Sequence, residues 1–322
     1  MSPNQIRTQI IRALSEGQFV SGESLAAQLN ITRSSISNYM KSLKDYGLDV
    51  FSVKGRGYQI AQPLTLLDQN QIEQYLHTFE EHRLNVLNIV GSTNDEIKQQ
   101  LADLPKGAVC IAECQTQGRG RRGRKWVSPF GTSIYLSMSW RFESGYQSIA
   151  GLSLLIGLAV KRTLSTLGYA QAKLKWPNDV YVDDKKLAGI LIEVEGQVGG
   201  VTSTVIGIGI NVNLPKDDLG IDQAFTDLMQ ISEHRVDRNL LAGELINQLR
   251  SLLVQFEVQG LGPFVDEWQT ADVFRDQPVA LLSGNYKTTG INRGIDQSGA
   301  LLLEVDGEIK PYHGGEISVR KL

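Results

Sequence analysis

Gln115-Thr116-Gln117-Gly118-Arg119-Gly120-Arg121-Arg122-Gly123-Arg124-Lys125-Trp126 is the stretch on which the fold turns. Gly118, Gly120 and Gly123 have the G-x-G-x-x-G spacing of a dinucleotide-binding turn and follow a strand-like run, Ala108 to Glu113. That fingerprint requires a helix to open at the third glycine. Here Trp126-Val127-Ser128-Pro129-Phe130-Gly131 follows and then a second strand-like run to Trp140, so the dinucleotide fingerprint fails in its context. Arg119, Arg121, Arg122, Arg124 and Lys125, spaced by glycine and with no acid among them, predict instead a mobile cationic loop able to fold over a polyanion such as a triphosphate. Trp126 beside them could stack on a flat ring. A solvated basic loop or a second nucleic-acid patch remains the alternative.

Around this loop, residues 64–271 alternate short strands with helices. Strands are expected at Ala108 to Glu113, Ile134 to Trp140, Lys173 to Trp176, Lys186 to Glu195 and Val201 to Asn213, and helices at Ile149 to Leu167 and Asp237 to Phe256. Only Asp183-Asp184-Lys185 separates two of the strands, which leaves no room for a crossover and makes the sheet at least partly antiparallel. Lys175-Trp176-Pro177-Asn178-Asp179 places an amide and a carboxylate at a strand end, where side chains point into a cleft. Lys186 opens the next strand, and Gly189 marks a close approach of backbone to something. Ser92-Thr93-Asn94, ahead of a helical pattern from Ile97 to Leu101, is either a helix cap or a set of ligand-binding groups. Gly207 and Gly209 would let a flat ligand approach, with Asn211 and Asn213 ending the strand. Each segment alone also reads as ordinary turn or hairpin chemistry.

The first 61 residues hold seven basic and four acidic side chains, a balance of +3, against −6 for the rest of a chain of 322 residues whose formal charge is −3. Ile6, Ile10, Ile11 and Leu14, then Leu25 and Leu29 after Ser21, then Ile36, Met40 and Leu43 after the N-cap candidate Thr32, mark three short helices. A helix-turn-helix at about residues 18–37 would turn Arg33, Ser34, Ser37, Asn38 and Lys41 outward, groups that suit base edges and phosphates. The hairpin expected from Asp49 to Ile60 carries Lys54 and Arg56 at its tip, with no evident packing role, and completes a winged helix. Packing modules of the same shape exist, so the fold alone does not prove DNA binding. Residues 272–322 predict a small β-barrel from Val279 to Leu282, Tyr286 to Ile291, Ala300 to Val305 and Glu316 to Val319. The composition, 41% hydrophobic and 21% charged, excludes a disordered or disulfide-stapled chain. With two cysteines, Cys110 and Cys114, no signal-peptide layout and no apolar run of bilayer length, a reducing cytoplasm and no membrane are expected.

Taken together, Gly118 to Trp126, Lys-Trp-Pro-Asn-Asp at 175–179, Lys-Leu-Ala-Gly-Ile-Leu at 186–191 and Gly-x-Asn-x-Asn at 209–213 resemble the biotin protein ligases, and the winged helix in front resembles their bifunctional ligase and operon-repressor form. The resemblance implies an α+β multidomain chain: a winged helix over 1–61, a mixed-sheet catalytic domain over 64–271 of the kind shared with class II synthetases and lipoate ligases, and an SH3-like barrel over 272–322. It implies that biotin and ATP form biotinyl-5′-AMP, and that biotin then passes to a lysine of the biotin carboxyl carrier protein of acetyl-CoA carboxylase. Ser92, Thr93, Asn94, Gln115, Arg119, Gly120, Arg121 and Lys186 would bind biotin, with Lys186, Asp179 and Arg121 serving the chemistry. Arg122, Trp126, Lys175, Asn178, Gly189, Asn211 and Arg320 would hold the nucleotide, and Mg²⁺ would arrive on its phosphates without a dedicated protein site. Ser21, Thr32 and the outward residues of the recognition helix and wing would meet operator DNA of biotin genes, with a homodimer forming on adenylate binding. A ligand-sensing repressor without catalysis and a lipoate or octanoate ligase on the same scaffold are the competing assignments. Residues 214–238 carry no assigned role.

Overall fold

The computed structural model describes residues 1–77, 83–143, 149–196, 200–215, 219–232 and 236–322. Its first helices, α1 (Pro3–Leu14), α2 (Gly22–Leu29) and α3 (Arg33–Ser42), start where Ser2, Ser21 and Thr32 each accept a backbone N–H of the first turn. Asn30, left-handed at φ 53°, closes α2, and the helix-turn-helix runs on to Ser42, beyond the expected 37. Strands β1 (Val50–Val53) and β2 (Gly57–Ile60) pair as the expected hairpin. The core beneath them holds Ile6, Ile10, Leu14, Leu25, Leu29, Ile36, Met40 and Ile60, but it is completed by Cys114 and Phe130 from the following domain. Phe130 donates its N–H to the Tyr46 carbonyl and Leu64 to that of Ser15, both at 2.8 Å, so the winged helix is sewn onto the next layer.

Next come α4 (Gln69–Gln74), β3 (Leu84–Val90), α5 (Thr93–Lys98), β4 (Val109–Gln115), β5 (Ser133–Phe142), α6 (Leu152–Thr166), β6 (Lys173–Lys175), β7 (Asp179–Val182), β8 (Lys185–Gly196), β9 (Thr202–Asn211), α7 (Leu228–Ile231), α8 (Arg238–Gln259) and α9 (Val265–Ala271). The strands form one sheet in the order β3-β4-β5-β9-β8-β7-β6. Only β3 and β4 run parallel; the other neighbours are antiparallel. Asp183 and Asp184 sit at φ 50° and 59°, giving the tight turn that joins β7 to β8 as the sequence required.

Alternation along the strands separates two faces. Ile134, Leu136, Met138 and Trp140 of β5, with Ile206, Ile208 and Ile210 of β9, face α6 and α8 in the main core. Each large apolar side chain buried there contributes roughly 1.5–3 kcal/mol. The intervening Ser137, Gly207 and Gly209 fall on the opposite face, where small and polar residues leave room for a cleft beside α5. Beneath the linker from the winged helix, Glu113 and Arg238 form an ion pair of 2.6 Å with side chains only 1% and 4% exposed. Glu113 also accepts from Leu67 N, and Arg238 donates to the carbonyls of Thr65 and Ser133, so both charges are hydrogen-bonded rather than merely buried.

The chain ends in β10 (Pro278–Ser283), β11 (Tyr286–Ile295), β12 (Leu301–Val305), β13 (Glu308–Tyr312) and β14 (Ile317–Lys321), an antiparallel sheet in the order β13-β12-β11-β10-β14. Pro311 is tolerated because β13 lies at the edge. This small β domain is fastened to the central one where Trp176 Nε1 donates to the Gly299 carbonyl at 3.0 Å and Lys321 pairs with Asp184 at 3.0 Å. Three local readings are corrected. The helix expected from Ile97 to Leu101 lies instead at Thr93–Lys98, starting four residues earlier and ending three earlier; its polar buried residues Thr93 and Asn94 hid the start. Strand β3, interrupted by asparagines, was not anticipated, nor was β13, whose side chains are mostly exposed.

Candidate functional site

The cleft lies on the small-residue face of the sheet. Its inner end is built from the start of α5: Ser92, Thr93 and Asn94 are all buried. Gln115, at the end of β4, accepts through Oε1 from Thr93 N at 2.9 Å and Thr93 Oγ1 at 3.1 Å. Ser137 Oγ lies 2.7 Å from Thr93 Oγ1 and 2.6 Å from Asn94 Oδ1, and Asn94 Nδ2 donates to Glu193 Oε2 at 2.6 Å. Gly207 is required beneath: a Cβ there would stand 2.4 Å from Asn94 Oδ1. The result is a recess of closely spaced donors and acceptors enclosed by Ile190, Leu191 and Ile208.

The Gly-Arg stretch covers this recess as a folded strap. Gly120 N donates to the Arg124 carbonyl at 2.7 Å and Trp126 N to that of Gly118 at 2.9 Å. The indole of Trp126 lies on Gly189 and Gly209, where added Cβ atoms would come within 2.9 Å and 2.5 Å of the ring. The close approach that these glycines were expected to offer a ligand is therefore taken by the loop's own tryptophan, whose Nε1 is buried without a hydrogen-bond partner among the described residues. Two of the loop arginines are also already engaged. Arg119 grips Asp95 through two bonds of 2.7 and 2.6 Å, while Arg121 donates to Asn178 Oδ1 at 2.8 Å and to the Gly315 carbonyl of the C-terminal domain. Asp95 is held below the ordinary carboxylate range by the Arg119 guanidinium, and burial pulls the Arg121 pKa down.

Outward from the recess, a second compartment of about 660 Å³ is lined by Arg121, Arg122, Arg124, Lys175, Lys186 and Arg320, with Asp179 among them. Lys186 Nζ lies 2.7 Å from Asp179 Oδ1 in a pair 13% and 16% exposed, and 5.2 Å from the centre of the Trp126 ring. Lys175 donates to Tyr181 Oη at 2.8 Å, and burial pulls its pKa down to about 8. A third compartment, about 1320 Å³, adds Asn211 and the apolar Leu219, Ile221 and Phe225 to Trp126 and Val127. Trp126 and Lys186 line all three. Every residue expected at the catalytic centre thus lies along one continuous cleft. A polar recess, a central lysine–carboxylate pair and an outer cationic chamber can bind a polar head group, a carboxylate and a polyphosphate in sequence. One carboxylate in that chamber fits a Mg²⁺ that comes in on the phosphates of a nucleotide.

On the winged helix, Arg33, Ser34, Asn38 and Lys41 are exposed and Ser37 is half-buried, so one face of α3 is available to DNA. Ser21 and Thr32 spend their hydroxyls as helix caps. Lys54 is exposed at the wing tip, but Arg56 does have a packing role: its guanidinium stacks 4.0 Å from the centre of the Phe19 ring. Several contributors to the cleft were not anticipated, among them Ser137, Glu193, Asp95 and the apolar lining of the outer compartment. Ser137 and Glu193 share the two-residue alternation of the cleft face, but a polar residue at such a position reads as solvent-facing from sequence; Asp95 gave no signal distinct from helix-start chemistry. The apolar Leu219-Gly220-Ile221 lay in the segment without an assigned role.

Comparison with known proteins follows the same three-part division. The biotin/lipoate A/B protein ligase family model matches residues 86–213, a helix-turn-helix model residues 6–59, and the biotin protein ligase C-terminal domain model residues 276–320. The chain is 43% identical over 320 residues to the bifunctional ligase/repressor BirA of Salmonella typhimurium and 44% identical over 321 residues to that of Escherichia coli, with 99% of each chain covered in both cases. Among solved structures, biotin protein ligase from Aquifex aeolicus in complex with biotin and ATP superposes with a TM-score of 0.67 at 30% identity, covering 76% of this chain and all of that one.

Proposed function

The chain belongs to the biotin protein ligase family in its bifunctional ligase/repressor form, and from that premise we propose how the residues of its cleft divide the work. Biotin's ureido ring enters the recess of Thr93, Asn94, Gln115 and Ser137, where two N–H donors and one carbonyl meet groups of matching kind. A dithiolane or alkyl head, as in lipoate or octanoate, offers these groups neither donor nor acceptor and so gains none of that polar recognition. The biotin carboxylate then lies beside Lys186, and ATP occupies the cationic chamber with its base against Trp126, Leu219, Ile221 and Phe225.

In the first step a carboxylate oxygen attacks the α-phosphorus, a P–O bond forms, and the bond to the departing pyrophosphate breaks. Two anions must meet for this, so fixed cations carry the catalysis: Lys186 at the reacting oxygens, Arg121 and Lys175 beside them, and Arg122 and Arg320 toward the leaving group. When bound, Mg²⁺ adds further charge neutralisation on the phosphates. In the second step the acceptor lysine amine attacks the biotinyl carbonyl and AMP departs. Asp179, released from Lys186 when that lysine turns to the ligand, accepts the amine proton, a step needed because an amine of pKa ~10.4 is mostly protonated at neutral pH. The strap excludes water from the mixed anhydride between the two steps.

The observation that carries this reading is the buried polar recess joined to the Lys186–Asp179 pair under an arginine-rich cover. Its test is pyrophosphate release from Mg-ATP with biotin, lipoate or octanoate as the acid. Release with biotin alone is expected. Release with lipoate or octanoate instead would reassign the substrate, and biotin binding without pyrophosphate would leave a sensor that has no catalysis.

The same reading assigns residues 1–61 to operator DNA, 64–271 to catalysis and 272–322 to closing the nucleotide chamber. The biotin carboxyl carrier protein is the acceptor, and the adenylate serves as corepressor by favouring a homodimer whose paired winged helices read an inverted repeat. The sheet supports such pairing: β8 pairs with β9 through Gly196, but its other edge is bonded only as far as Ile190, and among the described residues no strand pairs with the rest of it. No helix among the described residues is long and apolar enough to cross a membrane, and the two free, buried cysteines suit a reducing cytoplasm.

A further inference from the structure

We propose that Asp95 is a positioning residue: it pins the arginine strap over the biotin recess through Arg119 and so sets how long the bound ligand stays. The inference rests on the functional reading above. The pin is two-pronged, with Arg119 Nη1 2.7 Å from Asp95 Oδ2 and Nη2 2.6 Å from Oδ1, the geometry in which a guanidinium holds a carboxylate in one orientation. Its anchor is rigid, because Asp95 follows directly on Ser92, Thr93 and Asn94, which are buried, and the Thr93 N–H is fixed by Gln115. Its other end is part of a strap held to itself, since Arg119 pairs across to Lys125 and the strap closes through Gly118–Trp126 and Gly120–Arg124. Arg121 secures the opposite flank to Asn178 and the C-terminal domain. The recess therefore lies beneath a strap tethered on both sides, and the Asp95 tether is the one over the head-group end.

The magnitude is set by exposure. Arg119 and Asp95 are 37% and 34% exposed, so solvent weakens the pair, and Glu193, 3.5 Å from Arg119, remains as a second and weaker partner when Asp95 is neutralised. Partial loosening is expected rather than loss of the fold: Asp95→Asn should release biotin about three- to tenfold faster, in keeping with a bidentate but part-exposed ion pair. Release from the wild type should quicken with salt, and release from the variant should respond less.

The test uses the full chain. Biotin release is followed by stopped flow, and amide hydrogen exchange of residues 116–127 is measured without any ligand, for wild type, Asp95→Asn and the charge-swapped pair Asp95→Arg with Arg119→Asp. Faster release and faster exchange in Asp95→Asn, with both at least partly recovered in the swap, supports the pin. Unchanged release and exchange in Asp95→Asn overturns it. So does a swap that recovers neither, since that outcome means Asp95 serves only the start of α5 or Arg119 acts only by touching ligand. Absence of biotin binding in the wild type would sink the functional reading instead, while the ligand-free exchange comparison would still decide the pin.

Discussion

Gly209→Ala should disable the cleft while sparing the fold. Gly209 sits inside β9, paired with Tyr135 on one side and Gly189 on the other, in extended backbone that alanine adopts freely. The effect is therefore steric. An added Cβ would stand 2.5 Å from Cε2, 2.5 Å from Cζ2 and 2.6 Å from Nε1 of Trp126, where ordinary contacts begin near 3.4 Å. Sheet backbone cannot retreat without breaking its registers on both sides, so the indole must move by close to 1 Å, and its neighbours are the three compartments of the cleft. Overpacking of this kind costs about 1–3 kcal/mol. At 1.4 kcal/mol per factor of ten, the rate of adenylate formation should fall by roughly 5- to 150-fold. Trp126 is the tryptophan that is not deeply buried, Trp140, Trp176 and Trp268 being 1%, 3% and 1% exposed, so a change in emission reports its displacement. Gly262→Ala, whose methyl would meet nothing within 4 Å, is the matched control. An unaltered single-turnover rate in Gly209→Ala, with unchanged emission, would refute the placement of Trp126 as the shared wall of the cleft.

Lys186→Ala should slow adenylate formation by roughly 10²–10³-fold, the scale for losing one charge-stabilising group at the reacting centre; a normal single-turnover rate would remove Lys186 from that role. Glu113→Gln strands the Arg238 charge in a site 4% exposed and should cost about 3–5 kcal/mol in chemical denaturation, whereas a loss below about 1 kcal/mol would show that the pair under the linker is not a buried charge clamp. Burial pushes Asp272 up to about 6 from its ordinary 3.8. A folded pKa above the unfolded one gives stability that is complete below about 3.8 and lost as pH rises through about 6, at most ~3 kcal/mol at 1.36 kcal/mol per unit. The stability of the wild type relative to Asp272→Asn should therefore decline between pH 4 and pH 8, and a pH-independent difference would disprove the shift.

Local chemistry made much of this molecule legible from its residues. Ser21 and Thr32 as caps, the Asp183-Asp184 turn and the failure of a helix to follow Gly123 are each decided within a few residues, and they fixed the winged helix and the mixed sheet. The Gly-Arg run pointed to a cationic cover, but whether its arginines are free or tethered depends on Asp95, Asn178 and Gly315, which are far away along the chain. Nor could Gly189 and Gly209 say what approaches them: a missing Cβ records closeness, and here the nearest group is Trp126 of the same chain. Ser137 and Glu193 escaped notice for a related reason, since a polar residue on a strand resembles a solvent-facing one until the opposite side of the sheet is known to hold a cleft. Strand β13 buries too little to leave a pattern.

Transfer to a carrier lysine is the decisive measurement. The full chain, incubated with biotin, Mg-ATP and a biotin carrier domain, is followed by the intact mass of the carrier, beside a carrier whose acceptor lysine is replaced by arginine. One biotinyl group should be added to the native carrier, none to the replaced one, and one AMP released for each group transferred. A folded protein that binds biotin yet leaves the carrier mass unchanged, or one that loads lipoate or octanoate in place of biotin, would contradict biotin transfer by this chain.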